Sequence, residues 1–307
     1  MTFKDWILNM SKIGIVIDPH ITDRHRCRQD DFLETVLGKL DYVASNNDYV
    51  LIGGDLFHSS HNPNYIFYKV YQLFTKHKGK FHAIPGNHDL LHNNWNALDK
   101  TTIGSLAVTG ALSLHFSEFT ISGCTFQPSH VIKDLEAVPV DSTNSKVLIG
   151  HNYLEMSLAP KESLTRDEIR ALNYKLVFLG HDHSPYEEEY LGNSTLIRMG
   201  SLTRIDTQKY NRDRSIYYYQ LDTETMEYEK LPVPCKPTSE IYSKEAFDRI
   251  GRKKEDVTFI QIGEVLKKFT KQVKGVNSLD ERLRKIATEE EIDYIKTLHE
   301  MNNVRYF

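Results

Sequence analysis

Five short clusters of polar residues stand out in the sequence because each of them ends an apolar run. The clusters are Asp18–His20, Gly54–His58, Gly86–Asp89, Gly150–Asn152 and Gly180–His183. In open α/β sheets, sites are built at the carboxyl ends of the strands, and here those ends carry mostly imidazole, carboxylate and amide groups. Imidazole together with carboxylate favours zinc, manganese or iron over calcium or magnesium alone. The pattern therefore predicts a metal site, and its glycines would permit the tight turns that a close approach of backbone to metal requires.

The segments that precede these clusters have the patterns of buried strands and amphipathic helices. Strands are predicted at Lys12–Asp18, Tyr49–Asp55 and Lys80–Pro85, and helices at Asp31–Ala44 and Asn64–His77. Such an alternation of strand and helix predicts a largely parallel sheet.

From Ala111 onwards the pattern changes to short strands. They are predicted at Leu112–Phe116, Phe119–Phe126, Ala137–Val140, Lys146–Gly150 and Lys175–Gly180, followed by a meander of Glu187–Leu191, Thr195–Met199 and Ser215–Leu221. The predicted fold class is α/β, with two β-sheets packed face to face and helices outside them.

The last part of the chain differs from the rest. Leu231–Pro237 has the composition of a linker, so we divide the chain into a domain at 1–235 and an extension at 236–307. An amphipathic stripe that stops at Gly275 and two capping boxes, Ser278–Glu281 and Thr288–Glu291, predict a mainly helical extension.

Bulk composition narrows the class of protein. The chain has 307 residues and a formal net charge of −4, whereas a general nucleic-acid-binding protein would be strongly basic, so a phosphate-rich partner must be met locally. Cys27, Cys124 and Cys235 are far apart and form no C-x-x-C pair, which favours a reducing compartment. Met1–Lys12 does not have the pattern of a signal peptide, and no apolar run approaches about 20 residues. We therefore expect a cytoplasmic protein without membrane contact.

The set D-x-H, G-D, G-N-H-D, G-H and G-H-x-H resembles the signature of the calcineurin-like metallophosphoesterase superfamily, over about Lys12–Arg204. Within that superfamily the chain is most similar to the SbcD-type DNA double-strand-break repair nucleases. The second motif reads GDLFH and is followed by Pro63, Arg28–Phe32 resembles that branch's entry into its first helix, and Arg198–Leu202 resembles its Gly-Ser segment. The resemblance implies a sandwich of two mixed β-sheets with flanking helices.

The resemblance also implies a centre of two divalent metal ions. Manganese is the expected metal, and magnesium, zinc or iron are the alternatives. The implied ligands are Asp18, His20 and His183 for the first metal, Asn87, His151 and His181 for the second, and Asp55 as the bridge between them.

Further roles surround the implied metals. His88 would donate a proton to the leaving oxygen or stabilise the transition state, His58 would orient the phosphate, and Asp89 would fix the tautomer of His88 or anchor its loop. Arg24 and Arg26 directly follow the first ligands and are candidates for gripping substrate phosphates, because guanidinium donors fit phosphate oxygens. A solvated loop is the alternative for both arginines.

Three functions are weighed. The first is hydrolysis of DNA phosphodiester bonds by a water that two metals activate, with exonuclease or endonuclease action and an SbcC-type ATPase partner. The second is a phosphodiesterase or phosphatase for a small molecule such as a cyclic nucleotide. A protein phosphatase is disfavoured, because the Asp-Arg-Gly that follows the second motif in those enzymes is missing. The third is a non-catalytic scaffold, which would predict missing ligands. By resemblance, the helix at Asn64–His77 could form a homodimer contact, and 236–307 could be a reduced cap or a partner-binding region.

Overall fold

The computed structural model describes residues 11–25, 27–130, 147–155, 163–172, 174–205 and 209–243. The chain divides into two compact units, Met1–Ala246 and Phe247–Phe307, and all the described residues belong to the first. Arg26, the strand predicted at Ala137–Val140 and the predicted helices of the extension lie outside the described residues. The division predicted after residue 235 stays a prediction.

A first sheet of six strands carries the amino-terminal half of the fold. Its members are β1 (Lys12–Val16), β2 (Tyr49–Gly53), β3 (Phe81–Ile84), β4 (Ser113–Leu114), β13 (Ile216–Asp222) and β14 (Tyr228–Val233). They lie in the order β14-β13-β1-β2-β3-β4. Strands β1 to β4 are parallel, and β13 runs antiparallel to both β1 and β14. The parallel sheet predicted from the strand–helix alternation is confirmed.

A second sheet of six strands has the same mixed character. Its members are β5 (Phe119–Ile121), β6 (Cys124–His130), β7 (Val147–His151), β10 (Leu176–Gly180), β11 (Glu189–Leu191) and β12 (Ser194–Ile197), in the order β11-β12-β10-β7-β6-β5. Strands β6, β7, β10 and β12 are parallel, while β5 and β11 are antiparallel edges. A separate short pair consists of β8 (Tyr153–Leu154) and β9 (Ser163–Leu164).

The core between the sheets follows from the alternation of side chains along each strand. Ile13 and Leu51 from the first sheet pack with Ile149 and Phe178 from the second in one buried cluster. Their sequence neighbours point outwards, as Leu148 does when it joins a separate cluster on the outer face of the second sheet. The predicted fold of two mixed sheets packed face to face is confirmed.

Helices cover the outer faces. They are α1 (Phe32–Ser45), α2 (Asn64–Lys76), α3 (Thr102–Val108), α4 (Arg166–Leu172), α5 (Lys209–Arg212) and α6 (Thr238–Ile241). The N-cap of α1 is Asp31, whose side chain accepts from the Glu34 amide, as expected of a carboxylate at this position. In α2 the stripe of Ile66, Val70 and Phe74 is buried, so this face packs into the core.

Three local predictions were wrong. Phe119–Phe126 is not one strand but the hairpin of β5 and β6, because Ser122 and Gly123 both take positive φ and turn the chain. The predicted meander is interrupted, since β13 leaves the second sheet and pairs with β1 in the first. The supposed linker Leu231–Pro237 begins as strand, because Leu231, Pro232 and Val233 pair with β13.

Among the described residues, none of the helices combines the length and the apolar character that crossing a bilayer requires.

Candidate metal centre

The carboxyl ends of the parallel strands of both sheets meet at one place. Asp18 follows β1, His151 ends β7 and His181 follows β10. The sheets approach so closely here that a Cβ added to Gly180 would lie 2.8 Å from the carbonyl oxygen of Gly53. Side chains from distant parts of the chain are thereby brought within reach of one another.

Four of the predicted ligand residues have strained backbones. Asp18, His20, Asp55 and His181 have φ values of 50°, 49°, 46° and 79°, in the left-handed region that costs a non-glycine residue about 1–3 kcal/mol. Hydrogen bonds between the loops hold them there, since the His20 amide donates to the Asp55 carbonyl at 3.0 Å and the His181 amide to Asp18 Oδ2 at 2.9 Å. Strain of this kind is typical of functional sites.

Two glycines are required by close approach. A Cβ on Gly54, whose φ is +98°, would lie 2.2 Å from His151 Nδ1. A Cβ on Gly86 would lie 2.1 Å from Asp55 Oδ1 and 2.4 Å from the Asp55 backbone nitrogen. The glycines in these two clusters thus leave room for the ligand side chains.

Four of the predicted ligands surround His151. Its Nε2 lies 3.0 Å from Asn87 Oδ1, 3.1 Å from His181 Nδ1 and 3.2 Å from Asp55 Oδ2. Its Nδ1 lies 3.2 Å from Asp18 Oδ1. His151, Asp18 and Asp55 are all buried.

The two remaining predicted ligands, His20 and His183, lie next to each other and near Asp55. The His20 Nε2 lies 2.9 Å from His183 Nε2 and 3.6 Å from Asp55 Oδ2. Asp55 is therefore common to both groups, which is the position expected of a bridging carboxylate. The structure thus brings together all seven predicted ligands.

These donors fit metal ions. Two ligand atoms at about 2.1 Å from one ion lie about 3.0 Å apart when they are at right angles and about 3.4 Å apart in a tetrahedron, close to the distances above. Asp18 Oδ1 is buried, and its contact with His151 Nδ1 at 3.2 Å is an ion pair and not a well-formed hydrogen bond, so it offers a lone pair to a cation. Donor atoms of His20, His58 and His88 also lie within 4.8 Å of one another, so the division between ligands and catalytic histidines stays a prediction.

Electrostatics favour a cation at the centre. Burial holds the pKa values of His20 and His181 well below the usual range, so both imidazoles are neutral. Burial opposes a charge on His151 as well, yet Asp55 and Asp18 together raise its pKa well above the usual range. Without metal, a proton on His151 therefore balances the two carboxylates. A bound cation would take over this task and release the proton, because a ligating imidazole must be neutral.

His88 and His58 lie beside these groups. The His88 Nδ1–H donates to the His58 carbonyl at 2.8 Å, which leaves Nε2 as the nitrogen that can serve the site. The His88 ring stacks on His58 at 5.4 Å and meets His20 edge-on at 4.9 Å. Burial and the neighbouring His88 lower the pKa of His58 to about 4. Both rings are partly exposed, so they border the centre and a substrate can contact them.

Asp89 connects two loops. Its carboxylate accepts from the amides of Leu56, Phe57 and Gly86 at 3.1, 2.8 and 2.9 Å. These bonds join the turn after β2 to the turn after β3, and the ring of His88 has its partner elsewhere. Of the two roles expected for Asp89, its hydrogen bonds correspond to anchoring of the loop.

Other neighbours were not singled out by sequence reasoning. The His25 ring lies 5.5 Å from His58, and Tyr153 meets His181 edge-on at 3.9 Å. Tyr153 is adjacent to a recognised cluster, so proximity in sequence was a usable signal. Arg24 is exposed on the loop after His20.

The fold and the centre define a metal-dependent hydrolase of the two-sheet α/β type. A family model described as calcineurin-like phosphoesterase matches residues 18–185. The chain therefore belongs to the calcineurin-like phosphoesterase family, and membership indicates metal-dependent hydrolysis of a phosphoester.

Solved structures show more distant similarity. The protein TT1561 of Thermus thermophilus is 15% identical with a TM-score of 0.45, and the match covers 73% of this chain and 100% of that one. The sulfate thiohydrolase SoxB of Thermus thermophilus, in complex with glycerol, is 9% identical with a TM-score of 0.42, and the match covers 73% of this chain and 56% of that one. Neither similarity bears on substrate. The search of the curated proteins found no match.

Proposed function

We propose that the protein hydrolyses phosphodiester bonds in DNA, as a metal-dependent exonuclease or endonuclease of the SbcD type. The observation that carries the proposal is the gathering of carboxylate, amide and imidazole donors around Asp55, with His88 beside them. Asp18, His20 and His183 would hold one divalent ion, Asn87, His151 and His181 the other, and Asp55 both.

The bound ions would neutralise the anionic phosphodiester and make a water nucleophilic near neutral pH. The chain's own groups supply the rest. His88 is fixed through its Nδ1–H to the His58 carbonyl, so Nε2 faces the site. As the doubly protonated imidazolium, His88 would pass its Nε2 proton to the leaving oxygen and keep the Nδ1–H bond. His58, stacked against His88, would contact a non-bridging phosphate oxygen.

Two features favour a nucleic-acid strand as substrate. The GDLFH motif followed by Pro63 is similar to that of DNA repair nucleases. Asn87, His88 and His183 are partly exposed, so a phosphate that belongs to a long polymer can reach them. Arg24 is exposed on the adjacent loop and would contact a flanking phosphate.

The remaining predictions belong to this proposal. Manganese is the proposed metal, and an SbcC-type ATPase is the proposed partner. A homodimer contact through α2 would use its outer side, where Tyr65 and Tyr68 are exposed. The cytoplasm is the proposed location.

The test is hydrolysis of single-stranded, duplex and hairpin DNA in manganese, magnesium and zinc side by side, with and without an SbcC-type ATPase. We expect release of nucleotides or nicked product in manganese. His88→Asn should lower turnover about 100-fold or more while both metals stay bound. His61→Asn, at an exposed histidine, is the matched control and should behave as the wild type.

Two outcomes would contradict the proposal. Cleavage of bis-p-nitrophenyl phosphate or a cyclic nucleotide with no cleavage of any DNA would favour the small-molecule phosphodiesterase. Loss of metal from His88→Asn would show that His88 is a ligand and that the division of roles is wrong.

A further inference from the structure

A buried segment behind the candidate centre links several of its loops. The segment is Ser201–Arg204, between β12 and α5. Its donors bond to carbonyls that flank or belong to the predicted ligands of the first metal. The three bonds run from the Leu202 amide to the Ile17 carbonyl (2.8 Å), from the Ser201 amide to the His183 carbonyl (3.3 Å) and from Thr203 Oγ1 to the Pro19 carbonyl (3.3 Å).

The approach between this segment and the ligand loop is close. Gly200 precedes the segment with a φ of +72°, and a Cβ there would lie 2.6 Å from the His183 carbonyl oxygen. Ser201 and Thr203 are 1% and 0% exposed. A shift of the segment would therefore be transmitted to the loops that carry Asp18, His20 and His183.

The carbonyls of the same segment are held by cationic side chains from three other places. Lys39 on α1 donates from Nζ to the Leu202 carbonyl at 2.9 Å. Arg28, before α1, donates to the Arg204 carbonyl at 2.7 Å. Arg214, before β13, donates to the Thr203 carbonyl at 2.9 Å and also to the Ser201 carbonyl. Four successive carbonyls thus accept hydrogen bonds from three basic side chains.

This arrangement is costly to build. Lys39 is 6% exposed, and within the described residues it has no carboxylate partner. Burying an ammonium group without a counter-ion is unfavourable, and a helix face packed on a core is ordinarily filled by an apolar side chain. A role beyond packing would account for the lysine.

We infer that Lys39, Arg28 and Arg214 form a clamp on Ser201–Arg204 that positions the ligands of the first metal. The inference rests on the proposed metal centre. The clamp acts through the segment, whose own bonds end at the carbonyls of Ile17, Pro19 and His183. The strained φ values of Asp18 and His20 (50° and 49°) show that these two residues need such support. Of the ligands expected at the second metal, Asn87 follows β3 and His151 ends β7, and only His181 shares a loop with His183. The clamp should therefore affect the first metal more than the second.

The test compares Lys39→Met with Lys80→Met. Lys80 is a matched control because its ammonium also donates to backbone carbonyls, those of Ala44 and Asn47, at 2.9 and 2.6 Å. These carbonyls lie at the C-terminal end of α1, away from the segment. Binding of manganese to the full chain is measured by calorimetry, and the visible spectrum of the cobalt-loaded protein is recorded. We expect Lys39→Met to weaken one of two sites about 10–100-fold and to change the cobalt spectrum. Lys80→Met should match the wild type in both.

The outcomes separate the two proposals. A wild type that binds two ions while Lys39→Met binds both equally well, with an unchanged spectrum, overturns the clamp alone. A wild type that binds no divalent ion overturns the metal centre and with it the clamp. Equal weakening in Lys80→Met would assign the effect to helix stability and overturn the clamp. If Lys39→Met does not fold, Arg214→Lys takes its place, and unchanged affinity at both sites in that variant is the refuting result.

Discussion

Lys39 should make the stability of the metal-free protein depend on alkaline pH. Burial lowers the pKa of this lysine from 10.5 to about 7. Between these two values the unfolded chain holds a proton that the folded protein has released. Since stability rises with pH wherever the unfolded state binds more protons, the wild type should become more stable as the pH rises from about 7 towards 10.5. Lys39→Met removes the titrating group and with it this dependence.

The magnitude follows from the two pKa values. At pH 7 the linkage cost of burying Lys39 is about 4 kcal/mol, and at about pH 9.5 it has fallen to about 1.4 kcal/mol. The wild type should therefore gain about 3 kcal/mol relative to Lys39→Met over this interval. Loss of the bond to the Leu202 carbonyl costs the variant about 1–3 kcal/mol, but at both pH values alike. The comparison across pH therefore isolates the effect on stability of releasing the Lys39 proton.

The assay is urea unfolding of both proteins, with a chelator present, at about pH 7 and about pH 9.5. Other titrating groups are shared by the two proteins and cancel in the difference. At the lower pH, we expect the free energy of unfolding of Lys39→Met to be at least as large as that of the wild type. At the higher pH, we expect the variant to lose this advantage over the wild type. A stability difference that is the same at both pH values would refute the reasoning, because it would mean that Lys39 stays protonated in the folded protein.

Three further predictions concern other parts of the molecule. Asp55→Asn should bind divalent ions at least about 10-fold more weakly than the wild type in calorimetry, because it removes the carboxylate shared by both groups of donors; unchanged affinity would disprove the bridging role. Gly86→Ala should lose metal affinity because the new Cβ would lie 2.4 Å from the Asp55 backbone nitrogen. Gly38→Ala is the control, since its Cβ would meet nothing within 4 Å. It should leave metal binding unchanged and stabilise α1 by about 0.5–1 kcal/mol in urea unfolding. His82 has its pKa lowered to about 4 by burial, so folded stability should fall as the pH drops from about 6.5 towards 4; His82→Phe should show a shallower fall in the urea midpoint, and an equal fall would contradict this.

The candidate site could be anticipated from sequence to an unusual extent because its information is local. Residue type sets which atoms can bind a metal, and the rule that parallel strands end at one edge places those atoms together. The apolar runs before Asp18, Asp55 and His151 were sufficient to predict three strands whose ends carry ligands. The capped start of α1 at Asp31 was equally local.

The path of the later strands could not be read in this way. The alternation in Ile216–Asp222 identifies a strand but not its neighbour. Pairing with Lys12–Val16 depends on which sheet edge is still uncovered once the rest has packed, and that is a property of the whole fold. The same reason explains why Leu231–Val233 was taken for a linker: it is part of an edge strand, where a proline is tolerated because one side of the strand is unpaired.

The candidate donors, their order along the chain and the two-sheet class of fold can be predicted from residue type and short-range periodicity alone. The partners of the buried polar groups depend instead on how distant segments pack. The three amides that meet Asp89 and the carbonyl that Lys39 reaches belong to segments far away in the chain. A buried polar group must find a partner, but which group stands within hydrogen-bonding distance is settled by packing over the whole domain.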